Sequence, residues 1–255
     1  MSKLPEQHQF VDLSDYGRPA ARVIAGSLRK SSFTPIHVTF TFILSGLIAI
    51  YCILNDFLVL AAIFLVIKSI LDAADGELAR IKKTPSYTGR YFDSIADIIL
   101  NLLIMMAICK TSDARISTTL VAFVGLQLQG TLYNYYYVIL RNKLGGDTTS
   151  RIIESEAPTA MKGEQQKNVQ RLFYIYHLLY NYFDRIIYRL DKNAADGEIF
   201  PNWFMTAIST LGLGFQLLLI SLMLILGWKE YIVPFFIGYT FLIVLFIGIR
   251  KNWLQ

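Results

Sequence analysis

Apolar residues run through this chain in blocks long enough to cross a bilayer, and polar residues collect between the blocks. Six stretches, near 35–54, 57–76, 92–109, 117–140, 203–226 and 231–249, approach the length of helix that spans about 30 Å of hydrocarbon. Backbone amides in hydrocarbon must be satisfied within their own segment, so each stretch reads as a helix. Asn55-Asp56 reads as a tight turn between the first two, and Asp93 and Asp97 fall in the first turns of the third. Two other segments, Tyr16–Lys30 and Val169–Leu190, mix apolar and basic residues at helical spacing and predict helices lying in the membrane interface. In the second, Arg171, Asp184, Arg185 and Arg189 interrupt the apolar run, so it does not read as a seventh span. Residues 1–16 read as a mobile polar tail without a secretory leader, which leaves the first span as its own insertion signal. Residues 150–168 read as a polar loop.

The expectation is an all-α integral membrane protein with about six transmembrane helices and an N-terminal interfacial amphipathic helix. It forms one domain over 1–255: tail and interfacial helix to 34, spans one to four over 35–140, a cytoplasmic loop with its interfacial helix over 141–202, and spans five and six over 203–255. Composition agrees, since 54% hydrophobic and 17% charged residues exclude an ordinary soluble domain. Twenty of the 24 lysines and arginines fall on the side that holds both termini, against Lys110, Arg115 and Lys229 on the other. The positive-inside tendency then places both termini, and the 80–90 connection, in the cytoplasm. The net charge of +5 follows this topology and suits anionic lipid head groups, not nucleic acid. Cys52 and Cys109 fall in apolar spans and read as buried free thiols. Tyr133, Tyr135, Tyr136 and Tyr137 read as an aromatic belt at a membrane interface, and His37 and His177 as interfacial histidines.

Chemistry concentrates between residues 72 and 97. Asp72, Asp75, Gly76, Ala79 and Arg80 share one face of a helix, and Gly89, Asp93 and Asp97 share a face of the next. Carboxylates at a membrane border are costly unless a positive charge compensates them. Two carboxylate stripes that face one another can build an all-oxygen site for hard divalent cations. Lys68 lies one turn before Asp72 on the same face and can offset part of this charge, or snorkel along its helix.

The pattern Asp-x2-Asp-Gly-x2-Ala-Arg-x8-Gly-x3-Asp-x3-Asp is filled without a departure. It resembles the signature of the CDP-alcohol phosphotransferases, integral membrane enzymes of phospholipid synthesis. The entry to the first span, Thr34-Pro35-Ile36-His37-Val38-Thr39, is similar to a family sequence in which Asn stands at the position of Ile36. The resemblance implies transfer of a substituted phosphate from a CDP-linked donor, in the first instance CDP-diacylglycerol, to an alcohol acceptor with release of CMP. It implies two divalent cations, Mg2+ or Mn2+, with Asp72, Asp75 and Asp93 as principal ligands. Asp97 would be the general base and a possible contact to the second metal. Gly76, Ala79, Arg80, Gly89 and, more loosely, Ser86 would form the CDP-donor site. A homodimer in the cell membrane, active site facing the cytoplasm, is also implied.

The acceptor is not written in the signature. Arg141, Lys143 and Arg151 are candidates for a phosphorylated acceptor such as an inositol phosphate, or simply follow the positive-inside bias. The alternatives are an inositol-phosphate-type phosphotransferase using a soluble CDP-alcohol, a UbiA-like prenyltransferase and a cation transporter. The prenyltransferase wants about nine spans and has no use for the Gly-x2-Ala-Arg frame. The transporter wants carboxylates at mid-membrane, in two matched halves.

Overall fold

The computed structural model describes residues 4–145 and 154–254, and among them every regular element is helical. α1 (Arg18–Leu28) is entered through Pro19 in its first turn. α2 (Pro35–Leu54) opens with reciprocal capping: the Thr34 amide donates to His37 Nδ1 at 3.0 Å, so His37 has a structural task at the helix entrance. Asp56, in the left-handed region at φ 59°, turns the chain into α3 (Leu58–Lys82), which packs antiparallel on α2. Lys83 ends α3 in the same left-handed conformation, and Ser86 caps α4 (Tyr87–Thr111) by accepting from the Gly89 amide at 2.9 Å. α5 (Ile116–Lys143) returns beside α4.

α6 (Gln166–Leu190) follows the polar loop. Tyr91 and Ser94, near the start of α4, meet Phe173, Tyr176 and Tyr180 of α6, while Tyr135, toward the end of α5, meets Tyr188. Since α4 starts where α5 finishes, both contacts lie at one end of the bundle. α6 therefore lies across that end of the bundle, and it does not meet the standard of length and apolarity for a span. The remaining helices are α7 (Asn202–Ile208), α8 (Leu213–Ile225), α9 (Lys229–Tyr239) and α10 (Phe241–Trp253).

Three segments are long and apolar enough to cross a membrane: α2, α4 and the continuous pair α9–α10. A fourth counts if the segments before and after Gly212, bent by 54°, form one span. α3 and α5 occupy two of the six expected positions without meeting that standard among the described residues, since Lys68, Asp72 and Asp75 interrupt α3 and Gln127, Gln129 and Asn134 interrupt α5. Phe40, Leu44, Leu47 and Tyr51 form one exposed apolar stripe on α2, as Val59, Leu60, Ile63 and Ile67 do on α3, the surface a lipid-facing bundle presents. One buried cluster around Leu65, Ile104, Met105, Leu217 and Phe236 fills the apolar half of the bundle. A second, around Tyr136, Phe204 and Ile247, lies nearer the crossing helix α6.

Two expectations are corrected. The four tyrosines of α5 are not a lipid-facing belt. Tyr133, Tyr135 and Tyr136 are buried, because each hydroxyl finds an internal partner: Asp12 at 2.5 Å, the Asp191 carbonyl at 2.9 Å and the Asp191 carboxylate at 2.6 Å. Nor is the segment before α1 wholly a mobile tail. Leu13 N donates to Ser209 Oγ at 2.9 Å, and Ser14 lies directly against Gly212 and Gly214. A Cβ on Gly214 would come within 1.8 Å of the Ser14 carbonyl oxygen, so only glycine permits this approach.

Candidate active site

The two aspartate-bearing helices, α3 and α4, form one wall of a cleft of about 410 Å3. α5, α6, the start of α8 and residues 12–18 complete it. Asp72 and Asp75 reach in from α3, and Asp93 and Asp97 from α4. Asp72, Asp75 and Asp93 each offer an oxygen within 4.8 Å of the others. Like charges at that spacing repel strongly outside bulk water, so the cluster calls for a cation. Asp93 Oδ1 is buried and has no hydrogen-bond partner among the described residues. Thr39 Oγ1 donates to Asp75 Oδ2 at 2.8 Å and fixes that carboxylate from behind.

Asp97 stands apart from the trio. Its Oδ1 accepts from Lys68 Nζ, whose side chain is fully buried and lies 5.1 Å from the Phe42 ring centre. Lys68 thus neutralises the fourth carboxylate, one of the two roles open to it from its helix position.

Arg80 and Gly76 line the cleft together. The Arg80 guanidinium lies back over Gly76, 3.6 Å from where a Cβ would stand, and pairs with Glu77 at 3.2 Å. Glu77 is buried and also receives Arg18 at 2.7 Å, so one carboxylate sets two guanidiniums at the edge of the cleft. Ala79, Ser86 and Gly89 are not among the lining residues. Ser86 and Gly89 form the α4 cap, which Glu164 covers by accepting from Ser86 Oγ at 2.8 Å and Thr88 N at 2.7 Å. Burial opposes ionisation of Glu164, but these donors outweigh it and hold the carboxyl below its usual range.

The basic candidates for the acceptor stand elsewhere. Arg141 is buried beside the Tyr137 ring at 5.0 Å, and Lys143 donates to the Gly197 and Glu198 carbonyls. Neither lines the cleft, and Arg151 lies outside the described residues. In their place the α5–α6 side presents Thr131, Asn134, Tyr176, Tyr180 and Asp184. Burial, with Glu154 nearby, pushes the Asp184 carboxyl up to about 7. None of these was singled out from sequence for the site: an Asn or Asp within an amphipathic helix carries no spacing signal of its own.

A family model described as CDP-alcohol phosphatidyltransferase matches residues 33–187, more than half of the chain. The chain belongs to this family. The match runs from the entry of α2 into the last turn of α6 and includes all four aspartates, Gly76 and Arg80. No match is found among curated proteins or among solved structures. CDP-alcohol phosphatidyltransferases move a phosphate group from a CDP-alcohol to an alcohol and use a divalent metal, and the aspartate cluster of this transferase suits one: three carboxylates, one of them with an unpartnered buried oxygen.

Proposed function

We propose that this membrane phosphotransferase takes a substituted phosphate from a CDP-linked lipid of the CDP-diacylglycerol class, passes it to an alcohol and releases CMP. The observation that carries the reading is the division of labour among the carboxylates: three converge on one point, and the fourth is held beside them by a buried lysine. We read six crossings, with α3 and α5 spanning despite their polar residues because Asp72, Asp75, Gln127 and Asn134 face the cleft and Lys68 and Gln129 are buried on internal partners. The cleft then opens to the cytoplasm, where CDP-linked donors are found, and the basic 80–90 connection supports that orientation.

Asp72, Asp75 and Asp93 would hold the divalent cations, Mg2+ or Mn2+, with Asp97 at their edge. Bound there, the metals supply charge neutralisation on the pyrophosphate and acidify the acceptor hydroxyl. Arg80 and Arg18, presented by Glu77, meet the phosphates of the donor over the open face of Gly76. The acceptor oxygen forms a bond to the phosphorus bearing the donor's alcohol. The bond from that phosphorus to the bridging oxygen breaks, and CMP leaves with that oxygen and its electron pair. The acceptor proton passes to Asp97. Lys68 binds Asp97 Oδ1 and leaves Oδ2 for this proton.

Asp97→Asn tests the assignment. Turnover is expected to fall by about 10²- to 10⁴-fold with metal and donor affinity retained, and turnover within about tenfold of the parent would remove Asp97 as base. Arg80→Ala is expected to raise the KM for the CDP donor about tenfold or more, the worth of a charge-assisted phosphate contact. An unchanged donor KM would contradict its place on the pyrophosphate.

A further inference from the structure

The amide side chains that line the floor of the cleft, beyond Asp97, are not satisfied. Asn101 continues the Asp93–Asp97 stripe one helical turn deeper, about 6 Å further along α4. Opposite, Gln127, Thr131 and Asn134 follow at offsets 0, 4 and 7 on one face of α5, and Gln216 enters from α8. Asn101, Gln127 and Gln216 are 5%, 7% and 1% exposed. Yet Asn101 Oδ1, Gln127 Nε2 and Gln216 Oε1 are buried without a hydrogen-bond partner among the described residues. Each such atom is costly when left unmet, so three in one cleft mark a place built to be filled. Gln216 is held in place from its other end: Nε2 donates to the Leu126 carbonyl and to Gln129 Oε1, both at 3.0 Å. Its free oxygen is therefore fixed in direction.

Resting on the phosphotransferase reading above, we infer that this floor binds the acceptor, and that the acceptor is an uncharged polyhydroxylated alcohol. The unmet atoms decide the class. Gln127 offers a donor, while Asn101 and Gln216 offer acceptors, so the ligand must both give and take hydrogen bonds. A hydroxyl does both. Every acceptor carries the one hydroxyl that reacts beside Asp97, and the further groups that reach the amides must be hydroxyls too, since a phosphate oxygen only accepts and an ammonium only donates. The charges agree: Arg18 and Arg80, among the lining residues, are bound to Glu77 on the donor side, and Lys68 is bound to Asp97. A phosphorylated acceptor would meet amides and the Asp184 carboxyl at this end of the cleft. A polyol seated on the floor would have one hydroxyl beside Asp97, one turn above Asn101, with others on the amides and on Asp184.

The test is made on the full chain in detergent with Mn2+. Donor binding comes first: calorimetric titration of CDP-diacylglycerol with and without metal. Metal-dependent binding upholds the phosphotransferase reading, and its absence overturns that reading and this inference together. CMP release is then measured with myo-inositol and glycerol, with glycerol 3-phosphate and inositol phosphate, and with serine and ethanolamine. The polyols are expected to exceed both charged groups by at least about tenfold in kcat/KM. Gln127→Leu is expected to raise the acceptor KM about tenfold and leave the donor KM unchanged. Asp184→Asn serves as a second variant if Gln127→Leu fails to fold, with the same split expected. A phosphorylated or amine acceptor that leads the panel while donor binding stands, or an acceptor KM unmoved in the folded variant, overturns the inference alone.

Discussion

Asp93→Asn is expected to abolish turnover while leaving the protein folded and its donor site formed. The substitution keeps the volume and removes one charge from a set of three oxygens that lie within 4.8 Å of one another. Removing a residue that merely orients a metal ligand costs about 10- to 100-fold in metal affinity or activity, so losing a ligand should cost more than a hundredfold. Asp93 Oδ1 makes no hydrogen bond to the described residues, so the native fold loses none at that atom. Relief of repulsion among Asp72, Asp75 and Asp93 should leave the metal-free variant at least as heat-resistant as its parent. Mn2+ affinity and CMP release should fall together. Retained turnover, or a collapse in thermal stability with metal affinity intact, would remove Asp93 from the metal site.

Asp191→Ala is expected to be the most destabilising single change, and it acts away from the cleft. Asp191 is fully buried at the end of α6, where Arg250 of α10 and the Tyr136 hydroxyl of α5 share its carboxylate, and the Tyr135 hydroxyl binds its carbonyl. One side chain thus ties the crossing helix to the family-matched bundle and to the final span. Truncation strands a guanidinium that is itself buried, and breaking such a pair costs about 3–5 kcal/mol. For a chain of this size that corresponds to a fall of about 10 °C in midpoint. Asp191 is not a lining residue, so the surviving folded fraction should keep the parent's KM for donor and acceptor. Replacing Asp191 and Arg250 together by leucine should recover much of the loss, since a packed apolar pair is often as stable as a buried ion pair. An unchanged midpoint in Asp191→Ala would show that the pair does not hold these helices.

The carboxylate stripes were legible in the sequence because helix periodicity alone puts Asp72 with Asp75 and Asp93 with Asp97. That α6 falls short of a membrane span was legible because charged residues recur along its apolar run. Other features depend on partners far along the chain. Ser14 packs against Gly212 and Gly214, some 200 residues away, and no local pattern announces that contact. Tyrosines at a lipid interface and tyrosines capping a buried carboxylate have the same local sequence, so Tyr133, Tyr135 and Tyr136 read as a belt until Asp12 and Asp191 are seen beside them. Lys68 was placed on the Asp72 face by its offset of four, yet it bonds across to Asp97 on the neighbouring helix. The amides of α4, α5 and α8 went unmarked for a related reason. Single Asn or Gln residues inside apolar helices lower the apparent hydropathy without a spacing of their own. On α3 and α5 the residues that line the cleft also keep the helix below the standard for a membrane span.

The most direct measurement is CMP release from CDP-diacylglycerol by the purified protein, with Mn2+ and a polyol acceptor present and then with the metal chelated. The account predicts release that requires metal, acceptor and Asp97 together. Release that persists after chelation, or that stays within about tenfold of the parent in Asp97→Asn, would contradict a metal-assisted transfer at this site.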